Sequence, residues 1–524
     1  MFYDVSLEKG WVPILFFSLS VVFFAITIPF LPKISKFFPF LKKNRTKSDS
    51  QPQEVLNSGQ RSTGHRLAKK RSSKKPVMRF SPKKTLIIQL SVSVPLCLVW
   101  LFLLYMASDV WIVFGVGLGF KVIRTAAIGG FLVFWMIASV FLFRSARRIA
   151  IIFGVAVLTL NTALAVSNVY GQYPTIGALL GKSTLAQLSD NELENIKNAA
   201  KRNREKPENE RMTIARWKGS QEQKQTDSSS GISSTIHIEG TVSGFKAEDA
   251  QIYIPAAALS SAPPDLPVVV MLTGQPGNPV QAFQGGKINQ IAAKYAEEHD
   301  GLSPIVIVPD QLNEKRDNTL CLNTVNGNVE TYLTVDVINW LKDNLPVSSD
   351  SHDWTLGGFS MGATCTVTLG SLYPQIWGNL MAFSSEGRPA ENITEKEAED
   401  YYFGGDVEKY KSYYPTELMK KAAPSEQNLF LAAGTLDIIS EKNEATIGQA
   451  AVQSGMTVSS ALASDAGHDW RMTSRCFEYF FALLGKQSGI SSENVDRSRF
   501  DKLCSSKVIP FSEGTRKKNV TAER

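Results

Sequence analysis

The sequence predicts an all-α membrane-spanning bundle followed by an α/β domain built on a mostly parallel sheet. Three observations predict it. Apolar runs of bilayer-crossing length fill the first third of the 524-residue chain. From Thr235 onward, short β-rich runs alternate with helical stretches. Charge divides the chain in the same way. Residues 33–84 hold 16 Lys or Arg against Asp49 and Glu54, a net +14, so the total of +7 leaves −7 for everything else. The basic balance therefore describes one loop, and no nucleic-acid partner follows from it. With 44% apolar and 20% charged residues, wholesale disorder is excluded.

The apolar runs are residues 11–31, 85–107, 125–143 and 149–166, each about the length of a spanning helix. The first has its basic residues after the apolar run and no small-residue cleavage site, which argues for a retained anchor over a signal peptide. Residues 109–121 (DVWIVFGVGLGFK) are apolar but short, and read as an interfacial or re-entrant loop. Basic loops mark the cytoplasmic side. With four spans, the 33–84 loop and Arg144, Arg147 and Arg148 fall on that side together. Everything from about residue 168 then lies outside the cytoplasmic membrane. The expected localisation is a multi-pass cell-membrane protein with an extracytoplasmic catalytic domain. The chain divides into a transmembrane region (1–168), a polar tether (169–234) with a helix around 188–202, an α/β domain (235–485) and a C-terminal tail (486–524).

In the α/β domain, strands are expected at 251–254, 267–272, 305–308, 354–357, 379–383, 429–433 and 457–461. Helices are expected at 286–298, 328–344, 363–372, 444–454 and 471–484. In such sheets sites lie at the carboxyl ends of the strands.

Gly358-Phe359-Ser360-Met361-Gly362 is a G-x-S-x-G pentapeptide. Its glycines let strand and helix approach closely around an exposed serine. Chance supplies such a match in about one chain in five of this length, so its setting decides. A strand-like WTLGG precedes it and a helical ATCTVTLGSLY follows. A nucleophilic serine needs a base, most often histidine. Of the five histidines, His65 lies in the basic loop, and His237, His299 and His352 precede the serine. The order Ser, acid, His of α/β-hydrolases leaves His468, in DAGHDW before the last amphipathic helix. The acid should follow a strand between the two. LFLAAGTLD supplies a strand, a glycine turn and Asp437, with Glu441 and Glu444 as nearby substitutes. Asp469 adjoins the histidine, but neighbouring side chains in an extended loop point apart. The backbone N–H of Met361 and one from the loop Thr273-Gly274-Gln275-Pro276-Gly277 would form an oxyanion hole. Pro276 has no N–H, which favours Gln275. The cysteines show no CxxC spacing, and no metal or cofactor is called for.

Taken in order, MLTGQPGNP, IVIVPD, GNVETYLTVDVINWL, GGFSMGATC and AGHDW resemble the putative-esterase family of α/β-hydrolases, which includes mycolyltransferases and enterochelin-esterase-like enzymes. The resemblance covers about half of the chain, in a membrane-anchored form. It implies Ser360 as nucleophile, His468 as base, and the N–H groups of Gln275 and Met361 as oxyanion hole. It supports an acid near Asp437 less firmly, since mycolyltransferases use a glutamate in that region. Gln-Pro-Gly stands where mycolyltransferases carry a Leu-Arg pair. With these elements flanking the site, Cys321–Cys365 with Cys476–Cys504 is the favoured pairing, one of three connectivities that four cysteines leave open. The expected activity is that of a serine esterase cleaving acyl or aminoacyl esters of lipids or cell-envelope components. An acyltransferase using the same triad is the alternative. An inactive scaffold or receptor is the rival from another class.

Overall fold

A computed structural model describes residues 2–30, 78–111, 117–313 and 317–500. Most of the basic 33–84 loop and Cys504 lie outside them. The chain divides into two compact units. One holds residues 13–104 and 124–165, the other residues 1–12, 105–123 and 166–524.

The first unit is helical. Among the described residues, three helices are long and apolar enough to cross a membrane: Pro82–Ser108, Gly119–Leu142 and Ala146–Tyr170. The first expected span is the shorter helix Trp11–Ile26, 16 residues and roughly 24 Å at 1.5 Å per residue. Four expected spans thus become three of full length and one short apolar helix. Within this unit Gln89, buried on its helix, donates to Thr27 O at 3.0 Å and to Ser139 Oγ at 2.7 Å. Arg147 Nε donates to Ile26 O at 2.6 Å.

The second unit is built on an eight-stranded sheet: β1 (Ile232–Ile236), β2 (Ala250–Ile254), β3 (Val268–Leu272), β4 (Ile305–Val308), β5 (Trp354–Phe359), β6 (Asn379–Phe383), β7 (Asn428–Gly434) and β8 (Thr457–Ala463). Their order across the sheet is β1-β2-β4-β3-β5-β6-β7-β8. From β4 to β8 every pairing is parallel, while β1–β2 and β2–β4 are antiparallel. The runs VVVML and IVIV are buried throughout, as strands covered on both faces must be. Each of the seven expected strands is present within two residues of its expected bounds. The antiparallel edge strand β1 was not anticipated. Its ISSTI has only two large apolar residues, and pairing with β2 supplies the rest.

The stretch expected as a tether is packed. Leu188, Ile196 and Trp217 are buried in the same core as the sheet. Leu188 N–H donates to Thr235 O at 3.0 Å. The helix Asp190–Arg204 starts at a capping box of Ser189 and Glu192. It ends with Arg204 on Asp265 at 3.0 Å. Polar composition on the outer face hid the few apolar residues that dock this segment.

Candidate active site

The nucleophile candidate lies where the central strand β5 turns into the helix Met361–Leu372. A Cβ on Gly358 would collide with the carbonyl of Gly362, and one on Gly362 would sit 2.5 Å from Thr273 O. Both positions must be glycine for strand and helix to meet this closely. Ser360 itself has φ 58° and ψ −123°, a left-handed conformation that costs about 1–3 kcal/mol in a residue with a side chain. Its N–H is held by Phe383 O at 2.9 Å. The side chain remains partly exposed.

The loop after β3 runs beside it. A Cβ on Gly274 would lie 3.2 Å from Ser360 Cβ, so the loop passes close to the serine at Gly274. The Gln275–Pro276 peptide is cis. Asn278 then caps the next helix by accepting from Gln281 N–H at 2.9 Å. Met361 is the first residue of the elbow helix, where backbone N–H groups have no intrahelical partner.

Adjacency of β7 and β8 brings the acid and the histidine together. Both strands end at the same edge, and the loops after them are zipped. Leu436 N–H donates to Ala466 O at 3.0 Å, and Thr435 N–H to Ala463 O at 3.0 Å. Asp437 is buried, and its Oδ2 lies 2.8 Å from His468 Nδ1. Its Oδ1 accepts from Ser440 N–H at 3.2 Å and so caps the helix Ile438–Ser454. Burial pushes the Asp437 carboxyl up, but the hydrogen bond and charge of His468, with the Ser440 contacts, hold it below its ordinary value. The anion places the imidazole proton on Nδ1 and leaves Nε2 free to take one. The ring packs on Phe359, the residue before the serine, with centroids 4.7 Å apart.

Asp469 does something else. Its carboxylate accepts from the N–H groups of Gly467, Arg471 and Met472 at 2.9–3.1 Å and from Arg471 Nη2 at 2.7 Å. It fixes the histidine loop to the start of the helix Trp470–Gln487. Glu441, one substitute for the acid, lies on the helix that Asp437 caps. Glu444, the other, is fully buried and accepts from Ser385 N–H at 2.8 Å. Burial holds Glu444 well above the usual carboxylate range.

Glu386 was not among the residues that sequence reasoning singled out. It sits in the loop after β6, with its Oε2 shut away from solvent. Burial first, then the charge of Glu391, pushes its carboxyl up to about 7, against the pull of His468 and Arg388. A carboxylate in Ser-Ser-Glu-Gly after a strand was the only available signal, and it is a common loop composition. Cys321 and Cys365 form a disulfide that ties the elbow helix to the segment before the ETYLT turn. In that element Glu330 accepts from Tyr373 OH at 2.6 Å, and the buried Asp336 from Val242 N–H at 2.8 Å. Both are braces.

Comparison with known proteins bears on the same segment. Residues 248–482 match the model of the family described as "Putative esterase". An uncharacterized protein of Corynebacterium glutamicum is 28% identical over 360 residues, spanning 67% of this chain and 79% of that one. Among solved structures, an S-formylglutathione hydrolase from Agrobacterium tumefaciens is 15% identical, covering 49% of this chain and 95% of its own, with a TM-score of 0.40. A fluorophosphonate-binding serine hydrolase of Staphylococcus aureus is 17% identical, covering 49% and 98%, with a TM-score of 0.39. The matched segment, β2 to the last long helix, is built on the mostly parallel sheet, is similar to the esterases of that family, and contains Ser360, Asp437 and His468.

Proposed function

We propose that the protein is a membrane-anchored, extracytoplasmic serine esterase whose substrates are acyl or aminoacyl esters of lipids or envelope components. The observation that carries the site assignment is the 2.8 Å contact of buried Asp437 with His468, whose ring lies on the residue preceding Ser360. Three apolar helices of membrane-crossing length support the anchor, and the Cys321–Cys365 disulfide fits an oxidising compartment.

In this reading Ser360 Oγ attacks the ester carbonyl while its proton passes to His468 Nε2. Asp437 keeps the ring in the right tautomer and stabilises the imidazolium. The carbonyl oxygen becomes an oxyanion held by the N–H groups of Met361 and Gln275. The tetrahedral intermediate collapses, the alcohol leaves with the proton from His468, and Ser360 carries the acyl group. Water, deprotonated by the same histidine, repeats the sequence and releases the acid. An alcohol in place of water would make the same site an acyltransferase.

The test is turnover of p-nitrophenyl acetate and butyrate by the full-length protein in detergent, beside Ser360→Ala. Turnover above background that the variant lacks supports the reading. Equal turnover by both rejects it.

A further inference from the structure

Resting on that esterase reading, we infer that the acid and histidine loops form a lipid-docking surface, so that the site opens onto the bilayer and takes its ester from the lipid surface. The argument begins with residues 105–123. They belong to the catalytic unit, yet they lead directly into apolar helices on both sides. The last residues of Pro82–Ser108 and the first of Gly119–Leu142 fall within this segment.

The described parts of the segment grip the two loops that carry the acid–base pair. Gly117 N–H donates to Leu436 O at 3.0 Å, one residue before Asp437. Gly119, at φ +71°, lies against Leu436; a Cβ there would sit 2.6 Å from Leu436 Cδ1. Lys121 Nζ pairs with Asp465 Oδ2 at 2.8 Å, three residues before His468. Ser108 Oγ accepts from Leu118 N–H at 2.9 Å and draws the two ends of the segment together. A second apolar helix end reaches the same place. Tyr170, the last residue of Ala146–Tyr170, lies under the guanidinium of Arg471 at 5.8 Å, and Arg471 is held by Asp469 beside His468.

Around these contacts the surface is apolar where a water-facing rim would be polar. Ile438 is 67% exposed and Ile439 45% exposed, immediately after the buried Asp437. Phe120 is 73% exposed, next to Gly119, and Trp111 is 60% exposed at the other end of the segment. Large apolar side chains left open on the acid loop and on the segment that grips it are a binding surface in search of an apolar partner. Chain continuity with the apolar helices fixes that partner as the lipid surface. Trp111 and Lys121 are the residue types that settle at the boundary between acyl chains and head groups. A lipid ester lying in that boundary would present its carbonyl to Ser360 without leaving the membrane.

The test uses the full chain reconstituted in phosphatidylcholine vesicles. Ile438→Cys is labelled with an environment-sensitive fluorophore, and the signal of the identically treated wild-type chain is subtracted. Vesicles then carry nitroxide groups at shallow acyl positions. The inference expects quenching at least threefold greater than with an aqueous nitroxide. It also expects Phe120→Ser/Ile438→Ser/Ile439→Ser to lower the ratio of long-chain vesicle-borne ester turnover to soluble short-chain ester turnover at least tenfold. Quenching by the aqueous probe alone, or an unchanged ratio, overturns it. Absence of soluble-ester turnover in the wild-type chain would instead reject the esterase reading.

Discussion

Replacing Asp437 with Asn separates the charge of this residue from everything else it does. The side chain has two roles in the structure. Its Oδ1 caps the helix Ile438–Ser454 through Ser440 N–H, and Asn caps a helix about as well as Asp. Its Oδ2 holds His468 Nδ1 at 2.8 Å with the carboxylate side chain only 2% exposed. Asn can satisfy the first role and fails the second. Its amide cannot stabilise an imidazolium, and an N–H facing Nδ1 selects the tautomer that carries the proton on Nε2. Removal of that charge from a Ser-His-Asp site lowers kcat roughly 10³–10⁴-fold, equivalent to about 4–5.5 kcal/mol of barrier. The fold should remain, with a midpoint of thermal unfolding within a few degrees of the wild type near pH 7. The assay is steady-state hydrolysis of p-nitrophenyl butyrate by the full-length protein in detergent, with circular dichroism melts alongside. Glu441→Gln serves as the comparison and should keep wild-type activity within about threefold. If Asp437→Asn stays within tenfold of the wild type while Glu444→Gln loses a thousandfold, the acid is misassigned.

The same carboxylate predicts an acid limb in stability. Its folded value is depressed, so its contribution is complete above about pH 4 and is lost as pH falls through the lowered value; Asp437→Asn should flatten this part of a stability profile measured in urea. Glu386 runs the other way. Raised to about 7, it favours the fold below its unfolded value near 4.5 and loses that stabilisation as pH rises toward 7. Glu386→Gln should therefore gain about 1–2 kcal/mol at pH 8, after discount for partial exposure, and nothing at pH 4, as read from urea midpoints. Asp469→Ala leaves three buried-side N–H groups and Arg471 without their acceptor. It should cost about 2–4 kcal/mol in chemical denaturation and lower activity through a loosened histidine loop. Cys321→Ser/Cys365→Ser opens a loop of 44 residues. The expected loss is about 4 kcal/mol in the same assay, and a loss under 1 kcal/mol would deny the bond a structural role.

Much of the α/β domain was legible because its signals are local. Runs such as IVIV and VVVML can only be strands covered on both faces, and the structure has them within two residues of the expected bounds. Ser360 was visible because the elbow places severe demands on residues 358 and 362, and glycine meets both. His468 was found by elimination among five histidines, and the structure brings it against Asp437. What stayed hidden depends on distant partners. The helix Asp190–Arg204 looks polar along the sequence, and Ile196, Ala199 and Ala200, with Leu188 and Trp217 outside it, mark the buried side. Glu386 and Glu444 are unusual because of what surrounds them, and sequence spacing carries no trace of that burial. The grip of residues 117–121 on Leu436 and Asp465 joins segments more than 300 residues apart, beyond the reach of any motif.

The central claim is that Ser360 is a nucleophile activated by the Asp437–His468 pair. Its most direct measurement is fluorophosphonate labelling of the full-length protein in native membranes, with the modified peptide identified by mass spectrometry. The account predicts one adduct, on Ser360, absent in Ser360→Ala and slowed at least a hundredfold in His468→Ala. A folded wild-type chain that takes up no label, or takes it up equally without His468, would contradict it.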